Sequence, residues 1–187
     1  MKYVIVSVVR GEAGAMNHAL RKEVFEKLGA KSSTLPAHFT IKAPFEYNGS
    51  IEELKKTLRE FVKHEEAVSY QMKGYHHFDR RVIYMDVKMS KEAKEVHDRV
   101  IDVLESFPYI QCNNKDGKDK IFHVTVSSKK IEPIYDQLWE YVHRYPCDFD
   151  CLFDNISLYR WGEAKWVLEE VFELNKSRRS MTWKQND

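Results

Sequence analysis

The apolar residues of this chain change their spacing in the same order twice, and that order restricts the folds open to it. Residues 3–9 form a near-continuous apolar run, the mark of a buried strand. Met16, Leu20, Val24 and Leu28 then recur four apart with Phe25 beside them, which predicts an amphipathic helix over 15–29 stopped by Gly29. Residues 37–45 return to strand alternation. Ser50, with Glu53 three residues on, has the form of a capping box and opens a helix through Leu54, Leu58, Phe61 and Val62. Strands are expected at 68–78 and 81–87, joined at Asp79-Arg80. The order then repeats: Ser90 caps a helix along Ala93, Val96, Val100 and Leu104. A polar loop, 111–120, leads to a strand at 122–128 and a helix through Ile134, Leu138, Tyr141 and Val142. Two closing strands, around 148–159 and 165–174, flank Trp161-Gly162. Strand, helix, strand, helix, strand thus occurs twice, predicting an α+β fold of mainly antiparallel sheets with helices on their outer faces.

The 187 residues suit one compact domain or two small lobes sharing a cleft. Thirty basic against 29 acidic side chains leave a formal charge of +1, which excludes a protein that coats DNA through a large positive field. No apolar run approaches the ~18 residues of a membrane span. The first residues read as a strand and not as a signal peptide. Three cysteines, Cys112, Cys147 and Cys151, form no Cys-x-x-Cys pair. A cytoplasmic setting without a disulfide scaffold or thiolate zinc site is therefore expected. Neutral charge and the lack of an apolar stripe predict a monomer.

The chemistry sits in the second strand of each half, His38-Phe39-Thr40-Ile41 and His123-Val124-Thr125-Val126. Side chains alternate along a strand, so His38 and Thr40 share one face while Phe39 and Ile41 enter the core. His123 and Thr125 pair in the same way above Val124 and Val126. Extending each row adds Lys42 in the first half, and Ser127 and Lys129 in the second, as substrate-binding candidates. Two imidazole–hydroxyl stripes facing each other suit phosphoester chemistry. One neutral imidazole takes a proton, the opposite imidazolium gives one, and the threonine hydroxyls hold non-bridging oxygens. Histidine reaches both protonation states near neutral pH, and this scheme needs no metal or cofactor.

At these residues the chain resembles the 2H phosphoesterase superfamily, which includes bacterial 2′-5′ RNA ligase-like proteins and cyclic phosphodiesterases. His38-Phe39-Thr40-Ile41-Lys42-Ala43-Pro44-Phe45 is similar to the first family motif and His123-Val124-Thr125-Val126 to the second. Ile156-Ser157-Leu158-Tyr159, Trp166 and Val171-Phe172-Glu173-Leu174 are similar to the closing hairpin. The resemblance implies a bilobal, pseudo-two-fold fold with both sheets lining a central cleft. Residues 1–175 would form that single domain, with approximate halves 1–79 and 80–175 and a polar tail at 176–187. It also implies catalytic His38, Thr40, His123 and Thr125, acting without metal on 2′,3′-cyclic or 2′-5′ phosphodiester bonds of nucleotides or RNA ends. Many relatives carry an arginine shortly after the second motif. Here the segment reads Ser127-Ser128-Lys129-Lys130, which supplies charge without the two-pronged guanidinium clamp and points away from long RNA.

The remaining candidates are weaker. Tyr75 or Phe78 is placed to stack on a base, with the core as the default for Phe78. Tyr84 and Tyr159 could present their tips to the cleft. Arg10 and Arg160 are candidate phosphate contacts whose default is a solvated charge. Of His76-His77 at most one faces the groove, and too few ligands surround them for a metal. His18, His64, His97 and His143 are expected at the surface, and Cys147 and Cys151 as core or edge thiols. Loop 111–120 is read as an exposed connection, with a substrate-adapting lid as the other reading. Lys176, Arg178, Arg179 and Lys184 are read as a charged disordered terminus, with non-specific RNA contact as the other reading. Two further functions compete with the phosphoesterase. A binding module for RNA ends or small phosphorylated ligands would hold them without turnover, and a zinc hydrolase ligated by His38 and His123 would be silenced by chelator.

Overall fold

The structure is a computed structural model that describes residues 1–113 and 116–176. Eight strands and four α-helices run in the order β1 (Lys2–Val8), α1 (Gly11–Leu28), β2 (His38–Glu46), α2 (Glu52–Lys63), β3 (Val68–Phe78), β4 (Val82–Met89), α3 (Lys91–Glu105), β5 (His123–Ser127), α4 (Tyr135–Val142), β6 (Asp148–Phe153), β7 (Asn155–Trp161) and β8 (Trp166–Glu173). They build two antiparallel four-stranded sheets, β2-β1-β7-β8 and β5-β4-β3-β6. The fold is α+β, as the alternating spacings predicted, with the two lobes that the resemblance implied. Each sheet draws strands from both halves of the chain, because β3 joins the second sheet and β7 and β8 return to the first.

The stretch 148–159, expected as one strand, is two. Asp154 separates β6, which pairs with β3, from β7, which pairs with β1 and β8. Asn155 makes the crossing stable. Its side chain accepts from Val8 N at 2.9 Å and donates to Val8 O at 2.8 Å, imitating the backbone pair that a strand residue would supply. Ser157 Oγ donates to Asn155 Oδ1 at 2.9 Å and fixes that amide.

One continuous apolar core runs between the two sheets and their helices. Phe39, fully buried on β2, meets Tyr70 and Phe153 of the second sheet and Phe122, just ahead of β5, edge-on at centroid distances of 5.6, 5.2 and 6.0 Å. Such pairs add about 0.5–1.5 kcal/mol each beyond area burial. The first motif strand is therefore clamped to the opposite sheet by the residue between its histidine and its threonine. A second, smaller cluster of Val4, Val6, Leu35 and Tyr159 covers the other face of β1.

Helix ends follow the sequence unevenly. Gly29 closes α1 in the left-handed region at φ 68°. Ser90 Oγ accepts from Ala93 N at 3.0 Å, capping α3 as expected. Ser90→Ala should therefore cost about 1 kcal/mol, seen as a fall of ~2–4 °C in Tm. The Ser50 capping box does not form. Ile51 occupies the cap position with its side chain in the core, and α2 begins at Glu52. His97 departs from its expected surface position. It is fully buried on α3 against Phe122, with ring centroids 4.7 Å apart, and burial pushes its pKa down to about 3.

Candidate active site

β2 and β5 are edge strands of their respective sheets, and the two edges lie against each other. This brings His38 and Thr40 of the first motif near His123 and Thr125 of the second. In β2, His38 stands opposite Val8 and Thr40 opposite Val6, on the face away from the core residue Ile5. In β5, His123 stands opposite Asp86 and Thr125 opposite Tyr84, again away from the core residues Ile83 and Met85. All four motif side chains are half-buried.

The imidazoles are held alike. His38 Nδ1 donates to Pro36 O at 2.7 Å and His123 Nδ1 to Ile121 O at 3.0 Å, each to the carbonyl two residues before it. A carbonyl only accepts, so both rings carry hydrogen on Nδ1, which leaves the Nε2 lone pair for proton transfer when the ring is neutral. Their electrostatics differ. Dense protein around His38 pushes its pKa down to about 4, assisted by the charges of Arg21, His123 and Lys120 and opposed by the Pro36 carbonyl. His123 is lowered as well, chiefly by burial and then by Lys120, with Asp86 and the Ile121 carbonyl opposing.

Lys120 is the residue that the sequence hid. Its ammonium donates to the Thr40 carbonyl and lies 4.9 Å from the Phe122 ring centroid, so it touches the first motif from a position three residues ahead of the second. Burial pushes its pKa down to about 7. A cavity of about 840 Å³ opens beside His123, and Phe78, Arg81, Lys120 and Ile121 are among its lining residues. Loop 111–120 is correspondingly not a simple exposed connection. Asp116 is fully buried, ion-paired to Lys42, and accepts from Ala43 N at 3.0 Å, which pins the loop to β2.

Several sequence candidates lie elsewhere, and three share one physical reason. The ladder between β1 and β2 slips so that Val6 faces Thr40 but Ile5 faces Lys42. The ladder between β4 and β5 slips in the same place, with Tyr84 facing Thr125 but Ile83 facing Ser127. A bulge inserts one residue and reverses the alternation beyond it. Lys42 is thereby carried to the core face and neutralised by Asp116. Ser127 is fully buried and donates to Lys31 O at 2.6 Å. Neither extends the row of its histidine and threonine. In β3, Gly74 at φ 79° marks a third bulge, which turns Tyr75 into the core against His143, with centroids 5.3 Å apart. The same shift puts Phe78, and not Tyr75, on the site face. It is half-buried and meets His123 edge-on at 5.0 Å.

Tyr84 is at the site, its ring 5.1 Å from His123 and 4.5 Å from Phe78. Tyr159 shares a face with Val4 and Val6, the face of the first sheet that bears Thr40, but lies across β1 in an apolar cluster. Lys129 borders a different groove, with Lys31 and Arg21. Arg10 is bound to Glu173 and Asp154, and Arg160 to Glu169. His76 stacks towards Tyr84, and His77 meets Tyr135 and Trp139 while also lining the cavity beside His123. Among the described residues no group of three or more His, Cys, Asp or Glu side chains is arranged to hold a metal ion. Arg178, Arg179 and Lys184 lie outside the described residues.

The model of the 2′-5′ RNA ligase superfamily matches residues 14–165. No curated protein matches. Among solved structures, TT0787 of Thermus thermophilus is similar over 95% of this chain and 100% of its own, at 12% identity and a TM-score of 0.65. LigT of E. coli complexed with 3′-AMP is similar over 92% and 97%, at 12% identity and a TM-score of 0.59. A protein described as a phosphoesterase follows at 11% identity and 0.57, over 93% and 98%. At these identities the likeness concerns the fold.

Proposed function

Because the chain belongs to the 2′-5′ RNA ligase superfamily, we propose that it is a metal-independent phosphoesterase. Its substrates are 2′,3′-cyclic phosphate or 2′-5′ phosphodiester bonds of nucleotides or RNA ends. The observation that carries this reading is the matched pair of Nδ1-anchored imidazoles on adjoining strand edges, each with Nε2 left for proton transfer. A fold shared with a protein that binds 3′-AMP supports a nucleotide-sized ligand.

The stronger depression of His38 supports a division of roles between the rings. His38, with its pKa near 4, is neutral at working pH and takes the proton of the attacking water. His123, less strongly depressed, is the proton donor to the leaving ribose oxygen. Water adds to phosphorus, the ring P–O bond breaks, and one proton passes to His38 while another leaves His123. The product is a phosphomonoester, and solvent exchange restores the starting protonation. Thr40 and Thr125 hydroxyls donate to the non-bridging oxygens. Lys120 offsets the phosphate charge, and an arriving anion raises the proton affinity of both imidazoles.

Hydrolysis of uridine 2′,3′-cyclic monophosphate in EDTA tests this. In kcat/KM the productive state, neutral His38 with protonated His123, is most populated between about pH 4 and the ordinary histidine value of 6.5. The profile should be a bell in that window, falling at higher pH as His123 and then Lys120, near 7, lose their protons. A profile still rising above pH 7.5, or turnover that requires added zinc, overturns the assignment. The binding-module reading keeps one clear signature, salt-sensitive binding of the same nucleotide with no product.

A further inference from the structure

Beyond the cleft lies a second groove, of about 410 Å³, between the C-terminal half of α1 and the segment that leads into β2. His18, Arg21, Lys22, Phe25, Lys31 and Lys129 line it, and among the described residues no carboxylate does. Arg21 is held rigidly by Ser32 Oγ at 2.7 Å, Leu35 O at 2.9 Å and the Ser33 carbonyl, all neutral acceptors, so its charge stays uncompensated. Lys22 has a distant partner in Glu26 at 3.8 Å. Phe25 is half exposed, at 51%, with the Lys31 ammonium 6.0 Å from its ring centroid.

The arrangement works against the fold itself. Lys31 and Lys129 stand opposite each other across an antiparallel bridge, where like charges destabilise. The bridge is nonetheless closely built: Ser127 Oγ and the amides of Ser128 and Lys129 all converge on the Lys31 carbonyl, at 2.6, 3.0 and 3.1 Å. The backbone holds together two cations that no described carboxylate neutralises. An anion would relieve that repulsion.

The groove adjoins the cleft: Lys129 lines the one, and its chain neighbour Ser128 lines the other. The segment before His38 and the segment after Thr125 meet at its edge, hydrogen-bonded to each other through Lys31 O. Lys129 is four residues from Thr125, a reach of at most ~14 Å. The Arg21 charge is already felt at His38. A strand whose terminal phosphate lay between the motifs would leave towards this basic wall.

We propose that this groove is a strand-binding extension of the cleft, taking the sugar–phosphate backbone and one stacked base of a short single-stranded RNA. The inference rests on the phosphoesterase reading above and names the flank of its substrate. Lys31 and Lys129 pair with a phosphate upstream of the reacting one. Phe25 offers its exposed face to a base, a contact that tolerates any sequence. The +1 net charge fits a short tract and not a long one.

The test separates the groove from the chemistry. Binding of 5′-fluorescein-labelled hexauridylate is followed by anisotropy from 50 to 200 mM salt, for wild type and for a Phe25→Ala, Lys31→Ala double variant. The variant should bind at least tenfold more weakly, and its slope of log K against log salt should be shallower by ~0.7 for the lysine lost. Its kcat/KM for uridine 2′,3′-cyclic monophosphate should stay within twofold of wild type. Hexauridylate binding within twofold of wild type overturns the proposal, as does an equal loss on the mononucleotide. Polyglutamate displacing hexauridylate at equal charge concentration would overturn it in favour of an acidic protein partner. Should wild type hydrolyse nothing, the phosphoesterase reading fails while the binding arm still decides the groove.

Discussion

His38→Ala and His123→Ala are each expected to lower kcat/KM for a 2′,3′-cyclic nucleotide by ~10²–10⁴, and the double variant by little more than the worse single. In barrier terms each change removes about 2.7–5.5 kcal/mol of transition-state stabilisation. The near-equality of single and double follows from the mechanism. Proton removal from water and proton delivery to the leaving oxygen belong to one displacement, so losing either group leaves the other without its partner event. The pH profile distinguishes the two roles. Without His38 the acid limb should vanish, because the group that had to be neutral is gone, and without His123 the alkaline limb attributable to its deprotonation should vanish. Folding is a weak objection, since both rings are half-buried and their Nδ1 hydrogen bonds run to local carbonyls. Tm should move by only a few degrees. Single variants that retain more than a tenth of wild-type kcat/KM would remove the paired-imidazole mechanism.

The parts of the fold that a short window of residues decides were legible. The Met16–Leu28 stripe, the Ser90 cap and the apolar-in alternation of each motif all depend on neighbours within a few positions. What could not be read is the insertion of single residues into ladders. The bulge after Thr40 and the bulge after Thr125 involve ordinary β-branched residues, Ile41 and Val126, with no glycine to announce them. Their cause is tertiary, because the strands must bend where the two sheets meet. In both motifs the third residue of the row is lost to the site for the same reason. Gly74 could have signalled the third bulge, since an isolated glycine in a strand often marks one. With that shift applied, Phe78 and not Tyr75 falls on the face of His123.

Buried polar groups were the other blind spot. His97 stands among Glu95, Asp98 and Arg99, so its surroundings in sequence look solvated, yet it fills a space beside Phe122 that only the docking of α3 creates. Lys120 follows a run of loop residues and has no counterpart before His38, where Leu35 occupies the equivalent place and packs into an apolar cluster. The halves are alike in their motifs and unlike in what supports them. Their Nδ1 anchors are alike, so what separates the two imidazoles is burial, which depresses His38 the more.

The same buried polar set yields the largest expected stability effect, at Asp116. Its carboxylate is fully buried, meets the Lys42 ammonium, and accepts from Ala43 N at 3.0 Å and Asn113 N at 2.7 Å. Asp116→Ala would leave Lys42, a residue only 4% exposed, without its counter-charge and take an acceptor from two backbone amides. Breaking a buried pair from one side costs ~3–5 kcal/mol, which for a chain of this size is a fall of ~6–20 °C in Tm. Removing both charges should cost far less, because an apolar pair of similar volume needs no desolvated ion. The Asp116→Ala, Lys42→Met double variant is thus expected to recover most of the loss in urea or thermal unfolding. Activity should not recover with it, because Asp116 also fixes the loop that delivers Lys120 to the Thr40 carbonyl. A single variant within 1 kcal/mol of wild type, or a double as unstable as the single, would show that the loop is held by something other than this pair.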